Sequence, residues 1–255
     1  MTALPATTAV LSVRGLDKTF GALHVTRAIN LDLLAGARIG LIGPNGAGKT
    51  TFVNLLTGAI PADAGSIQLD GRAIERLPAE HRVRRGLVRT HQLNTLLTEE
   101  TALDNIAIAI AERDRKGWRM LRYGAAWRAC VAEAHHWLRE VGIERLAFGR
   151  VSELSYGDQR LLEIGIALSL KPRVLLLDEP AAGVPSGEAH AIHEMIDRLP
   201  TDVAVLMIEH DMELVFRFAR EIVVLVAGGV YTRGAPAEIA ADERVRAVYL
   251  GRSAA

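Results

Sequence analysis

The 255-residue chain predicts an α/β protein built on a parallel sheet, and three observations carry that expectation. A glycine-rich turn, GPNGAGKT at 43–50, stands between a short apolar segment and a helix-like one. A second apolar run, VLLLDEP at 174–180, ends on two adjacent acids. From about residue 156 onward, helix-like and strand-like segments alternate, the pattern of parallel strands covered by helices.

The elements follow in order. Short strands are expected at 10–13, 29–33 and 67–69, with turn signals such as Gly65-Ser66 and Asp70-Gly71 between them. ARIGLI at 37–42 is apolar and short enough for a buried strand. TFVNLLTG at 51–58 reads as a helix, with Phe52, Leu55 and Leu56 on one face and Gly58 as its stop. From about 93 to 154 no strand is expected. Leu103, Ile106, Ala107 and Ile110 are spaced for a helix over 101–112, and 129–141 repeats the pattern. Helices at 156–170, 188–199 and 212–220 then alternate with strands at 173–177, 203–208 and 222–226. The helical block reads as an insert. The expected partition is a nucleotide-binding core over 1–92 and 155–235, a helical subdomain over 93–154 and a tail over 236–255. No internal repeat or low-complexity segment interrupts it.

Composition narrows the class. Lys plus Arg (30) balance Asp plus Glu (30), so no broad polyanion-binding surface and no nucleic-acid partner are expected. Cys130 is the one cysteine, which excludes an internal disulfide and suits a reducing compartment. The start of the chain lacks a basic stretch followed by an apolar signal core. No apolar run approaches the ~20 residues that cross a bilayer, so any membrane role is expected to come through a partner.

GPNGAGKT is a complete GxxxxGKS/T phosphate-binding loop in the strand–turn–helix setting it needs. Gly43, Gly46 and Gly48 let the backbone turn tightly, so that N–H groups across Gly43, Pro44, Asn45, Gly46, Ala47, Gly48, Lys49, Thr50 and Thr51 face phosphates. Proline adds no donor, and the helix dipole adds to the anion site. Lys49 can reach the β- and γ-phosphates, and the Thr50 hydroxyl can hold Mg²⁺. The chain is therefore expected to bind a nucleoside triphosphate.

The acids of VLLLDEP lie at a strand's carboxyl end, where ligands of open α/β sheets gather. Asp178 is expected to hold Mg²⁺, directly or through water. Glu179 points elsewhere and can orient or deprotonate an attacking water, a contribution of about 10²–10⁴-fold. The plainer alternative, two acids capping the next helix, loses ground beside the phosphate loop.

LSYGDQ at 154–159 precedes a helix, and Ser155 with Asp158 forms a capping box at its start. Such a helix N-terminus with a free hydroxyl is also an anion site. The segment resembles the LSGGQ signature of ABC-type ATPases, and the resemblance extends over essentially the whole chain. It implies a P-loop NTPase core with an N-terminal antiparallel β subdomain and an inserted helical subdomain. It also implies ATP and Mg²⁺ as ligands. Gln92 in VRTHQL resembles the Q-loop glutamine that links Mg²⁺ to a transmembrane partner. His210 in MIEHDM resembles the switch histidine at the γ-phosphate, and Phe20 in DKTFG the aromatic that stacks on adenine. Each residue has a bland reading alone, as a solvated loop residue, a structural histidine before an N-cap, or core.

In that family two ATPase subunits meet head to tail, with each ATP between one chain's phosphate loop and the other's signature. Ser155 and Gly157 are thereby implied to touch the partner's ATP. Two transmembrane permease subunits and, indirectly, a periplasmic solute-binding protein complete the implied assembly. Its place is peripheral, on the cytoplasmic face of a bacterial inner membrane. The chain departs from the pattern at Tyr156, Asp158 and Pro185. Pro185 offers neither the side-chain acceptor common there nor an N–H. It either starts the next helix, its favoured place, or marks an asymmetric dimer with a non-identical ATPase; a homodimer stays open. The motifs VRTHQL, LSYGDQRLLEIGIAL, DEPAAG, IEHDM and the tail RVRAVYLG are most similar to the ATPase of branched-chain amino-acid importers. The run WRMLRYGAAWR at 118–128 reads either as a solvated amphipathic helix or as a permease or headgroup contact. A urea-type importer, the lipopolysaccharide exporter and a soluble ABC ATPase are the alternatives.

Overall fold

The computed structural model describes residues 9–90, 96–115 and 124–250. Gln92 and residues 118–123 of the basic run lie outside them. The chain divides into two compact units: one takes the chain up to Leu87, Arg173–Glu179 and the chain from Pro200 on, the other Val88–Pro172 and Pro180–Leu199. The helical unit is thus wider than the 93–154 segment expected from sequence.

The first unit opens with a hairpin of β1 (Leu11–Phe20) and β2 (Leu23–Leu33). Opposed apolar pairs Leu11–Leu33, Val13–Leu31 and Leu16–Ile29 are buried and hold its register. Register shifts between Val13 and Lys18 break the simple alternation, which is why only the strand ends were expected. β3 (Arg38–Ile42) leads into the glycine loop and α1 (Lys49–Thr57), followed by β4 (Ala64–Leu69) and β5 (Arg72–Ala73). The antiparallel sheet has the order β2-β1-β4-β5.

The short helix α2 (Ala79–Arg84) lies in a segment to which the sequence reading assigns no element. Its physical reason is Arg82, 2% exposed. The guanidinium donates to the carbonyls of Leu55 and Leu56 at 2.7 Å each, and to those of Glu75 (2.7 Å) and Leu77 (2.8 Å). The last carbonyls of α1 thereby gain the partners that a helix end lacks. The division between the units falls within β6 (Leu87–Arg89).

The second unit contains α3 (Ala102–Arg113), α4 (Ala125–Glu140) and α5 (Tyr156–Ser169). Thr101 caps α3 by accepting from the Asp104 N–H at 3.0 Å. Arg113 ties the three helices together: it grips both carboxylate oxygens of Glu133 on α4 (2.7 and 2.9 Å) and donates to the Ser169 carbonyl at the end of α5 (2.6 Å). Arg113, with help from Lys171, holds the Glu133 carboxyl down at about 2.

The chain then passes through β7 (Val174–Asp178), which belongs to the first unit, and α6 (Ser186–Asp197), which packs on α5 in the second. It returns through β8 (Ala204–Ile208), α7 (Met212–Phe218), β9 (Glu221–Val226), β10 (Gly229–Gly234), α8 (Pro236–Ala241) and α9 (Glu243–Leu250). β7, β8, β3 and β9 pair in parallel, and β10 adds antiparallel to β9. The buried runs VLLL, AVLMI and IVVL lack alternation because parallel strands are covered on both faces. β10, α8 and α9 were not expected from periodicity.

Candidate active site

β3 ends at Ile42 and α1 starts at Lys49, so the intervening loop must reverse direction within a few residues. Gly43 does this at φ 155, where a Cβ would collide with the Leu225 carbonyl oxygen. Backbone hydrogen bonds stitch the loop to the β9–β10 turn and through it to β2: the Gly228 N–H donates to the Ala47 carbonyl at 3.1 Å, and the Arg27 N–H on β2 donates to the Gly228 carbonyl at 2.8 Å. The loop is therefore held in shape before any ligand arrives.

Lys49 is 7% exposed and curls back over the loop. Its Nζ donates to the carbonyls of Gly43 (2.6 Å) and Pro44 (3.2 Å). Burial pushes its pKa down, while Glu179 and Asp178 push it back up. A cation with neutral carbonyl partners and two acids nearby is ready to exchange those carbonyls for phosphate oxygens.

Across the loop lies a cavity of 870 Å³. Its walls bring together Lys49, Thr50, Thr51, Glu179 and His210, residues up to 161 positions apart in sequence. Glu179 stands at the end of β7 with φ 48, in the left-handed region that non-glycine residues avoid, pinned there by its N–H to the Ile208 carbonyl at 2.9 Å. Its Oε1 is 2.9 Å from His210 Nε2. A buried neighbour, Glu209, steadies the histidine by accepting from the N–H groups of His210 (2.8 Å) and Asp211 (3.3 Å). Asp211 then caps α7 through the N–H groups of Glu213 and Leu214. Thr50 and Asp178 offer hard oxygen donors of the kind Mg²⁺ takes.

The structure treats the sequence-derived residues unequally. Pro44, Asn45, Gly46, Ala47 and Gly48 line the cavity, and Gly43 serves it through the carbonyl that holds Lys49. Asp178 closes β7 one residue before Glu179. Phe20 ends β1 and is 49% exposed with Lys18 Nζ 5.4 Å from its ring centre, so it is no core residue. It is not among the cavity's lining, which on that side is Leu23, His24, Val25 and Arg27. Sequence reasoning missed those β2 residues, together with Glu209 and with Ala247 and Val248 of α9, which also line the cavity. Gly228 and Arg27 carry no motif; only the fold brings them to the loop.

Ser155 and Gly157 belong to the second unit. Ser155 is the N-cap of α5, and its Oγ accepts from the Asp158 N–H at 3.2 Å. Glu188 of α6 faces the same point: its Oε2 accepts from Ser155 Oγ at 2.9 Å and from the Gly157 N–H at 2.8 Å. Deeper along α5, Arg160 and Glu163 form a buried pair at 2.9 Å, and burial pushes Glu163 up to about 7.

Comparison with known proteins agrees with this architecture. The family model described as ABC transporter matches residues 26–182, and one described as branched-chain amino acid ATP-binding cassette transporter matches 232–255. The high-affinity branched-chain amino acid transport ATP-binding protein BraF of Pseudomonas aeruginosa is 37% identical over 96% of this chain and 98% of its own length. The lipopolysaccharide export system ATP-binding protein LptB of Escherichia coli is 32% identical over 95% and 98%. Among solved structures, an ATP-binding cassette of an ABC transporter in its ADP conformation superimposes with a TM-score of 0.84 at 27% identity, covering 96% of this chain and 100% of that one. With the phosphate loop, Glu179 at the strand end and the histidine gathered on one cavity, the chain belongs to the ABC transporter family, as an ATP-binding and ATP-hydrolysing subunit.

Proposed function

We propose that the chain powers import of branched-chain amino acids or related small polar solutes by hydrolysing ATP. It works as one of two ATPase subunits, the other non-identical, beneath two transmembrane permease subunits that an external solute-binding protein supplies. The observation that carries the reading is the convergence of Lys49, Thr50, Glu179 and His210 on a single cavity. The match of residues 232–255 to the branched-chain amino acid model supports the choice of solute. Among the described residues no helix is long and apolar enough to cross a membrane. We assign the solute path to the permeases, with this chain peripheral on the cytoplasmic face.

In this reading the stretches flanking the helical segment form the nucleotide-binding core, with 93–154 as the transmitting insert and 236–255 as the tail. The loop N–H groups take the phosphates, and Lys49 leaves the Gly43 and Pro44 carbonyls to meet the β- and γ-phosphates. Phe20 stacks on adenine. Thr50 and Asp178, with Gln92, hold Mg²⁺, whose chemistry is to neutralise charge developing on the phosphates. Glu179 takes the proton of the attacking water, and His210, released from Glu179, touches the γ-phosphate. Ser155 and Gly157 meet the ATP carried by the second subunit.

The test is uptake of labelled leucine, isoleucine and valine in cells carrying Lys49→Ala. Loss of uptake is the expected result. Normal amino-acid uptake would overturn the assignment of solute; a defective envelope alongside it would favour lipopolysaccharide export.

A further inference from the structure

The structure assigns Glu188 as an internal occupant of the anion site at the start of α5, a carboxylate that has to leave before nucleotide phosphate can reach Ser155 and Gly157. The inference rests on the proposed reading of that helix start as the contact with the second subunit's ATP. It adds a residue that the resemblance does not supply.

Glu188 Oε2 accepts from two convergent donors, Ser155 Oγ at 2.9 Å and the Gly157 N–H at 2.8 Å. Those are the groups a phosphate oxygen would take at a helix N-terminus. The fit is close: a Cβ on Gly157 would collide with Glu188 Oε2 and lie 2.9 Å from its Cβ. Ser155 Oγ also lies 3.0 Å from Asp158 Oδ2, and Arg145 faces that aspartate at 3.5 Å. Two carboxylates therefore converge on one hydroxyl, which has a single proton to donate. A phosphate added to this arrangement would be a third anion at the same point, so it can enter only as Glu188 withdraws.

Pro185 explains why Glu188 faces this way. It is the N-cap of α6, and Glu188, three residues on, holds the N3 position. A glutamate at N3 ordinarily reaches back to the N-cap N–H and closes a capping box. Proline has no N–H to offer. The local partner of Glu188 is missing, and its side chain crosses to α5 instead. The departure from the family pattern at Pro185 and the occupied helix start at Ser155 are one feature seen from two ends.

The experiment follows the Gly157 backbone amide in the isotopically labelled full-length chain during titration with inorganic phosphate. Two variants act by different routes. Glu188→Ala empties the site, whereas Pro185→Ser keeps the carboxylate but restores the N-cap N–H that would draw it back to α6. Both are expected to shift the Gly157 amide and to lower the phosphate concentration that half-saturates its response by about three- to tenfold, the net worth of a single hydrogen bond. The Gly46 amide in the phosphate loop should titrate alike in all three proteins. An equal Gly157 response in all three proteins, or none in any, would overturn the inference. Loss of the ATPase reading would show separately, as unaltered ATP turnover in Glu179→Gln, whatever Gly157 does.

Discussion

On the proposed reading the phosphate loop and the start of α5 both receive phosphate, and the groups assigned to it are partnered from within the chain in different ways. At the loop the cation Lys49 rests on two neutral carbonyls. At α5 the donors Ser155 and Gly157 rest on an ionisable carboxylate, Glu188. Neutral dipoles compete weakly with a polyphosphate, whereas a carboxylate competes in kind and repels what would replace it. The loop is open to nucleotide by default, and the helix start is closed by default. Binding at the first site and engagement at the second are then separable events, which suits an ATPase whose turnover waits on a second subunit.

The largest expected effect lies on the loop side. Glu179→Gln keeps the shape of the residue but removes the proton acceptor at the end of β7. ATP turnover is expected to fall by about 10²–10⁴-fold with nucleotide binding retained. The check is steady-state phosphate release beside equilibrium binding of a fluorescent ATP analogue. Unchanged turnover would remove the difference between a chemical site and a docking site on which the comparison depends.

Next comes the support under the loop. Arg82→Ala strips the donor from four carbonyls, two of them in the last turn of α1. The Leu55 carbonyl keeps the Gly58 N–H, and losing the donor to the others costs about 2–4 kcal/mol of folding stability, read as a lower midpoint in denaturant. If α1 serves only to present Lys49 and Thr50, turnover per folded molecule should survive.

On the helical side, the tie between Arg113 and Glu133 gives a pH signature. Glu133 is held at about 2 in the fold, below the ordinary carboxylate value. Its stabilisation is therefore fully present above the unfolded value and is lost as pH falls from about 4.5 toward 2. The side chain is 27% exposed, so solvent trims the gain to about 1–2 kcal/mol. Glu133→Gln should flatten that part of the stability–pH curve. An identical curve in the variant would show that the second unit does not depend on this tie.

Legibility in the sequence follows the same division. The strand–loop–helix over residues 38–57 is local chemistry, and both its elements and Lys49 and Thr50 could be read directly. The parallel strands were legible as unbroken apolar runs because burial on both faces leaves no alternation to misread. Arg82 was not legible: RLPAEHRVRRG looks like a solvated charged stretch, and only the carbonyls at the end of α1 make one of its arginines a buried strut. Pro185 was visible as an odd residue, and its missing N–H could be stated from sequence. What it does to Glu188 required α5 and α6 to be packed together. Glu209, Arg27 and Gly228 entered the site through register and backbone bonding, which carry no residue-type signal.

The smallest effect is the one that best separates the two roles of the helix start. Ser155 caps α5, and an alanine there should lower folding stability by about 1 kcal/mol, whereas glycine at an N-cap costs only a few tenths. Both substitutions remove the hydroxyl that Glu188 and, on the proposed reading, phosphate compete for. If Ser155 matters only as a cap, Ser155→Ala should impair ATP turnover of the assembled transporter and Ser155→Gly should nearly spare it. If the hydroxyl itself meets phosphate, the two variants should lose turnover together while their denaturation midpoints differ. The second outcome is expected, because the Gly157 N–H and Ser155 Oγ already hold an anion jointly, and neither substitution leaves more than one of those donors behind.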